Sequence, residues 1–213
     1  MQSNTVWIFA YGSLMWKKGV FQYSNDRVGY VEGMGRRFWQ GSPDHRGVPE
    51  APGRVLTLVK EKNMQTWGKA FEIQSNIVPY IDSTETGYIR VQTTFYPSNP
   101  LESPFQVEVY LASEDNPHYL GPAPVDTMAE HIAVSRGYSG CNAEYLLALY
   151  DYLDQHSVME VDGHLSELGE IVKDMLQLRK SNNRQWSISR TIPCQCTYHK
   201  HFSLATIAAN SNE

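Results

Sequence analysis

Two hydrophobic periods divide this chain, and the division is the strongest constraint on its fold. As far as residue 111 the apolar residues fall in short runs, at 6–10, 28–31, 37–40, 54–59, 67–73, 89–95 and 106–111. The clearest is Ile89-Arg90-Val91-Gln92-Thr93-Thr94-Phe95. Its odd positions face a core while Arg90, Gln92 and Thr94 face outward, which is the period of a half-buried strand. Segments rich in Gly, Pro and Asp, such as 41–53 and 96–104, separate the runs as loops. From Pro124 the spacing becomes helical. Val125, Met128, Ala129 and Ile132 form one stripe with Gly137 as its stop. Asn142 is placed to cap a second helix carrying Tyr145, Leu146, Leu149 and Leu153, and Asp162 a third carrying Leu165, Leu168, Val172 and Met175. Strands followed by helices predict an α+β domain, a small curled sheet or β-barrel with flanking helices.

With 213 residues the chain is long enough for one well-buried core and short for two. Residues 5–180 are read as that domain, and 181–213, polar and uneven, as a partly disordered C-terminal extension. No run approaches the roughly 18 apolar residues of a membrane span, and no signal peptide opens the sequence, so a cytoplasmic location is expected. Three cysteines, Cys141, Cys194 and Cys196, make no secreted disulfide framework. A net charge of −5 without a basic stripe argues against nucleic acid as a partner. The pair Arg36-Arg37 is read as a local anion contact or a strand edge.

Four stretches carry candidate chemistry. Val6-Trp7-Ile8-Phe9-Ala10-Tyr11-Gly12-Ser13-Leu14-Met15-Trp16 is an apolar strand running into Gly12-Ser13. Backbone amides of such a turn form a concavity for a carboxylate or a polarised carbonyl, while the plainer reading is an ordinary strand end. Loop 41–53 holds Asp44, His45 and Arg46. Arg46 there either clamps an anionic substrate or serves a structural loop bonded to its own backbone. Glu85 lies at a helix–strand junction before Gly87; it is either a solvated acid or one raised in a cleft toward a general base. The last stretch, Cys194-Gln195-Cys196-Thr197-Tyr198-His199-Lys200-His201, crowds soft ligands together, but C-x-C-x2-H-x-H is not a closed zinc spacing, and no metal site is expected. Cys141, at a predicted helix start, is read as a buried inert thiol rather than a stabilised thiolate.

Five blocks occur in an order that resembles the ChaC-type, glutathione-specific γ-glutamylcyclotransferases. They are Trp7 to Trp16, Arg36-Arg37-Phe38-Trp39-Gln40-Gly41-Ser42, Asp44-His45-Arg46-Gly47-Val48-Pro49, Pro52-Gly53-Arg54-Val55, and Asn116-Pro117-His118-Tyr119-Leu120-Gly121-Pro122-Ala123-Pro124. The resemblance runs from about Val6 to about Leu178. It implies the γ-glutamylcyclotransferase-like fold and cleavage of glutathione to 5-oxoproline and cysteinylglycine without a metal or organic cofactor. It implies that Ala10, Tyr11, Gly12, Ser13, Leu14 and Met15 cradle the γ-glutamyl group, with Arg46 and Tyr119 as further substrate contacts. Glu85 matches the family's catalytic glutamate, and a monomer or weak dimer is expected.

Two departures stand out. Thr84 occupies a place where the family has Arg, and Thr86-Gly87-Tyr88 is one residue short of its glycine pair. The rivals are a cyclotransferase for other γ-glutamyl amides and a catalytically inactive γ-glutamyl-binding regulatory protein.

Overall fold

The computed structural model describes residues 4–17, 19–156 and 162–182. The seven runs become five strands, because two pairs of runs are each one long, bent strand. In order these are β1 (Thr5–Ala10), β2 (Asn25–Ser42), β3 (Gly53–Gln74), then a short helix α1 (Val78–Thr84), β4 (Tyr88–Pro97) and β5 (Phe105–Ala112). What interrupts the apolar pattern in β2 is glycine and irregular pairing. The register against β3 slips between Glu32 and Met34, where Gly33 has φ +72, and again between Arg37 and Gln40. Such bulges bend a strand and raise its twist, which lets one ribbon serve two sides of a barrel. Gly29 is required for a different reason: a Cβ there would collide with the Tyr96 carbonyl and the Phe95 ring on β4.

The strands close in the order β1-β3-β2-β4-β5. All pairings are antiparallel except the closing one, where β1 meets β5 in parallel at a single residue pair, Ile8 with Glu108. Ile8, Phe9, Val31, Phe95, Val107 and Val109 are buried in the core. The alternation read in β4 holds at Phe95, which is fully buried, but fails at Ile89, which is 52 % exposed. Ile89 stands at the start of the strand opposite Leu111, near the end of β5, beyond the buried middle of the pair.

The helical third follows the predicted stripes. Helix α2 (Val125–Val134) buries Met128, Ala129, Ile132 and Ala133. A minimal hairpin, β6 (Arg136–Gly137) and β7 (Gly140–Cys141), leads into α3 (Asn142–Gln155), which buries Leu146, Leu149 and Leu153. Helix α4 (Gly163–Asn182) buries Leu165, Leu168 and Val172. All three pack on one another and on the β2/β3 side of the barrel. Asp162 caps α4 as expected, accepting the Leu165 amide at 2.9 Å. Asn142 does not cap α3. Cys141 takes that position, and the Asn142 amide faces β3, accepting the Arg54 N–H at 2.6 Å and donating to the Arg54 carbonyl at 2.7 Å. This buried exchange mimics a strand pair and fixes the helix to the barrel.

Arg36 is fully buried at the centre of the molecule. Its Nε donates to the Tyr11 carbonyl at 2.9 Å, Nη1 to Asp162 Oδ2 at 3.2 Å, and Nη2 to the Trp67 carbonyl. One guanidinium thereby joins the end of β1, the middle of β3 and the start of α4. The expected anion contact exists, and it is a buried ion pair. Among the described residues no helix is long and apolar enough to cross a membrane. The Cys194, Cys196, His199 and His201 stretch lies outside the described residues, as does the extension from residue 183.

Candidate active site

Strand β1 hands Ala10 and Tyr11 to a tight turn. Ser13–Met15 form one turn of 3-10 helix, closed by the Met15 amide on the Gly12 carbonyl at 3.0 Å. Arg36 holds the Tyr11 carbonyl from behind, and the Tyr11 hydroxyl donates to the Tyr110 carbonyl at 2.6 Å. Gly12 has little room for a side chain: a Cβ would lie 3.1 Å from the Tyr145 hydroxyl and 3.5 Å from Leu56 Cδ1. The residue is glycine because a ring hydroxyl approaches its backbone closely.

Glu85 arrives from another direction. Helix α1 ends with the Glu85 amide on the Ile81 carbonyl at 3.0 Å, and Glu85 has φ −88 and ψ 58, close to an inverse γ-turn. The Tyr88 amide then bonds back to the Glu85 carbonyl at 3.1 Å, with Gly87 at φ +83 in the third turn position. A positive φ at that position alone defines a type II turn, which one glycine satisfies. Asn116 braces the turn, its Nδ2 donating to the Gly87 carbonyl at 2.6 Å and to Gln40 Oε1 at 2.9 Å. The shortened segment therefore still delivers Glu85 to the cradle.

Ala10, Tyr11, Gly12, Ser13, Leu14 and Glu85 line one cavity of about 80 Å³, together with Ile8, Phe9, Leu56, Tyr88, Tyr110 and Tyr145. At about 30 Å³ per water in the liquid, that space corresponds to roughly three waters. The Glu85 carboxylate makes no hydrogen bond among the described residues. Burial raises its pKa above the ordinary carboxylate value, and Lys17 partly opposes the rise. Three of the four tyrosine hydroxyls have acceptors: Tyr11 on the Tyr110 carbonyl, Tyr88 on the Leu56 carbonyl at 2.6 Å, and Tyr110 on Asp82 Oδ1 at 2.6 Å. Tyr145 donates to no described residue. Its pKa is raised, first by burial, so it stays a neutral donor with a proton to offer at neutral pH.

Three residues expected at the site lie outside the lining. Met15 is buried in the core at 4 % exposure, because the 3-10 turn rotates it away from the cavity. Tyr119 belongs to the brace, its amide on the Asn116 carbonyl at 2.8 Å and its backbone bridged to Gln40. Arg46 donates to the Cys141 carbonyl at 2.8 Å, sits 3.7 Å from Glu144 Oε2, and lies 5.8 Å from the centre of the Tyr145 ring, so it reaches the site only through that ring. Leu56, Tyr88, Tyr110 and Tyr145 were missed. Only Tyr145 carried a signal, a polar-tipped ring within an aliphatic helical stripe. Cys141 is buried, as its sequence position suggested. No cluster of three or more metal-ligating side chains occurs among the described residues.

A family model described as ChaC-like protein matches residues 6–175. The chain belongs to that family. This ChaC-like chain is 42 % identical over 180 residues to glutathione-specific γ-glutamylcyclotransferase 1 of Homo sapiens, covering 81 % of each chain. It is 29 % identical to the glutathione-specific γ-glutamylcyclotransferase of Saccharomyces cerevisiae, covering 78 % of this chain and 92 % of the relative. A crystal structure of the yeast glutathione-specific γ-glutamylcyclotransferase superposes with a TM-score of 0.72 at 27 % identity, covering 80 % of this chain and 96 % of that one. The fold is the γ-glutamylcyclotransferase fold.

Proposed function

We propose that this chain cleaves glutathione to 5-oxoproline and cysteinylglycine. One observation carries the reading: Glu85, whose carboxylate makes no hydrogen bond among the described residues, lines the same cavity as the Gly12-Ser13 turn. The named activities of the relatives support it. The cradle holds the γ-glutamyl chain folded, so that its α-amine lies against its own γ-carbonyl. Glu85 takes a proton from that amine, the nitrogen adds to the carbonyl carbon, and a five-membered ring closes. The turn amides and the Tyr145 hydroxyl hold the oxyanion. Collapse breaks the bond to the cysteinyl nitrogen, which leaves with the proton that Glu85 returns. No water is consumed. Intramolecular attack supplies proximity, and the proton transfer contributes about 10² to 10⁴ in rate. The same reading places the protein in the cytosol, where glutathione is a principal thiol reductant.

The test is to incubate the folded protein with glutathione and with γ-glutamyl-alanine and quantify 5-oxoproline. Product from glutathione is expected, with γ-glutamyl-alanine the poorer substrate. Absence of product from both overturns the reading. The role given to Tyr145 has its own check. Tyr145→Phe keeps the ring and removes the proton, so kcat falls by about 10² to 10³, whereas an unchanged kcat removes Tyr145 from the oxyanion site.

A further inference from the structure

Glutathione ends in a glycine carboxylate, two residues beyond the γ-glutamyl group that the proposed function places in the cavity. When Glu85 returns its proton, the leaving dipeptide begins at the Glu85 carboxylate and runs outward. Two residues span at most about 7 Å, so the terminal carboxylate falls within a short radius of Glu85. Two cations belong to that neighbourhood. Arg46 is already engaged with the Cys141 carbonyl and Glu144. Lys17 is different. It follows the cradle directly, its amide bonded to the Ser13 carbonyl at 3.0 Å, and Ser13 and Leu14 line the cavity. Its side chain is exposed and makes no salt bridge among the described residues. Partial burial lowers the pKa of its ammonium, Arg46 lowers it further, and Glu85 partly opposes both.

We propose that Lys17 binds the terminal carboxylate of the leaving dipeptide and sets a preference for glutathione over γ-glutamyl compounds that end in an uncharged group. This rests on the reading of Glu85 as the acid toward the departing amine. The Arg46 charge, held in place beside Tyr145, adds to the attraction without forming the contact. The pairing has a clear physical cause: an ammonium and a carboxylate beside protein at the rim of a cavity are screened less than the same pair in bulk water.

The experiment compares glutathione with its glycine amide, which differs only in the terminal charge. The wild-type protein is expected to favour glutathione about tenfold in kcat/KM, the difference residing in KM. Compared at a pH where Glu85 is fully ionised, Lys17→Met should bring glutathione close to the level of the amide while costing the amide far less, and Lys17→Arg should keep the preference. Equal losses on both substrates overturn the proposal, because Lys17 would then act through Glu85 or through the fold. An undiminished preference in Lys17→Met overturns it as well. The same pair of ligands, titrated by calorimetry into Glu85→Gln with and without Lys17→Met, reads the preference as a ratio of Kd without turnover. If the wild-type protein makes no 5-oxoproline, the proposed function falls, and this ratio still decides the role of Lys17.

Discussion

Replacing Glu85 with glutamine lowers glutathione turnover by about 10² to 10⁴ and stabilises the folded chain at neutral pH. The two effects have one origin. Burial raises the Glu85 pKa in the folded state, with Lys17 only partly opposing it. A carboxyl with a raised folded pKa contributes stability that is fully present below its unfolded value, about 4.3. That contribution is lost as pH rises through the folded value. At neutral pH the ionised group therefore opposes folding. Glutamine carries no charge to desolvate, so its advantage in thermal midpoint is present at pH 7.5 and shrinks to nothing near pH 4. The same sign governs catalysis. The base must be ionised, so kcat/KM declines on the acid side below an apparent pKa that lies above the ordinary carboxylate range. Wild-type turnover in Glu85→Gln would remove Glu85 as the base. A destabilised variant would mean that the carboxylate is structural.

The largest effect on stability is expected at Arg36. Arg36→Met leaves Asp162 buried without its counter-ion and strips the Tyr11 and Trp67 carbonyls of a donor. Breaking a buried pair from one side costs about 3–5 kcal/mol, or roughly 6–20 °C in Tm for a domain of this size. Asp162 also caps α4, so deleting both side chains would confound two losses. Arg36→Met with Asp162→Asn is the informative double variant. Asparagine still accepts the Leu165 amide but has no charge to strand, and part of the lost stability should return. Denaturant midpoints decide the matter. A loss under about 1 kcal/mol in the single variant would show that the pair is not the anchor of the cradle.

Much of the fold was legible because hydrophobic period is a local property. The stripes of α2, α3 and α4 and the alternation of β4 needed no tertiary information. The merging of seven runs into five strands was not legible. It depends on where β2 and β3 bend against each other, which only their pairing decides. The site divides along the same line. Tyr11 to Leu14 and Glu85 sit at element ends, where turn chemistry marks them. Tyr88, Tyr110 and Tyr145 come from three elements and meet only when the barrel closes. Tyr119 lies off the cavity lining, in a block that braces the Gly87 turn through Asn116. For Arg46 the choice between a substrate clamp and a structural loop residue stayed open, since nothing near it in sequence announces the Cys141 carbonyl, 95 residues away.

The barrel closes through one backbone pair, Ile8 with Glu108, and the Tyr11 hydroxyl crosses to the Tyr110 carbonyl at the same seam. The strand with the thinnest stitching is thus the strand that leads into the cradle. Local opening follows the boundaries with fewest hydrogen bonds, so β1 and β5 part before the rest of the sheet. Tyr110 leaves with β5, and the wall around Glu85 loses one of its tyrosines. Pocket and cylinder are lost in one event. Any molecule held between Gly12 and Glu85 therefore acts as a clasp on the whole barrel, adding its binding free energy to the resistance of the sheet against uncurling.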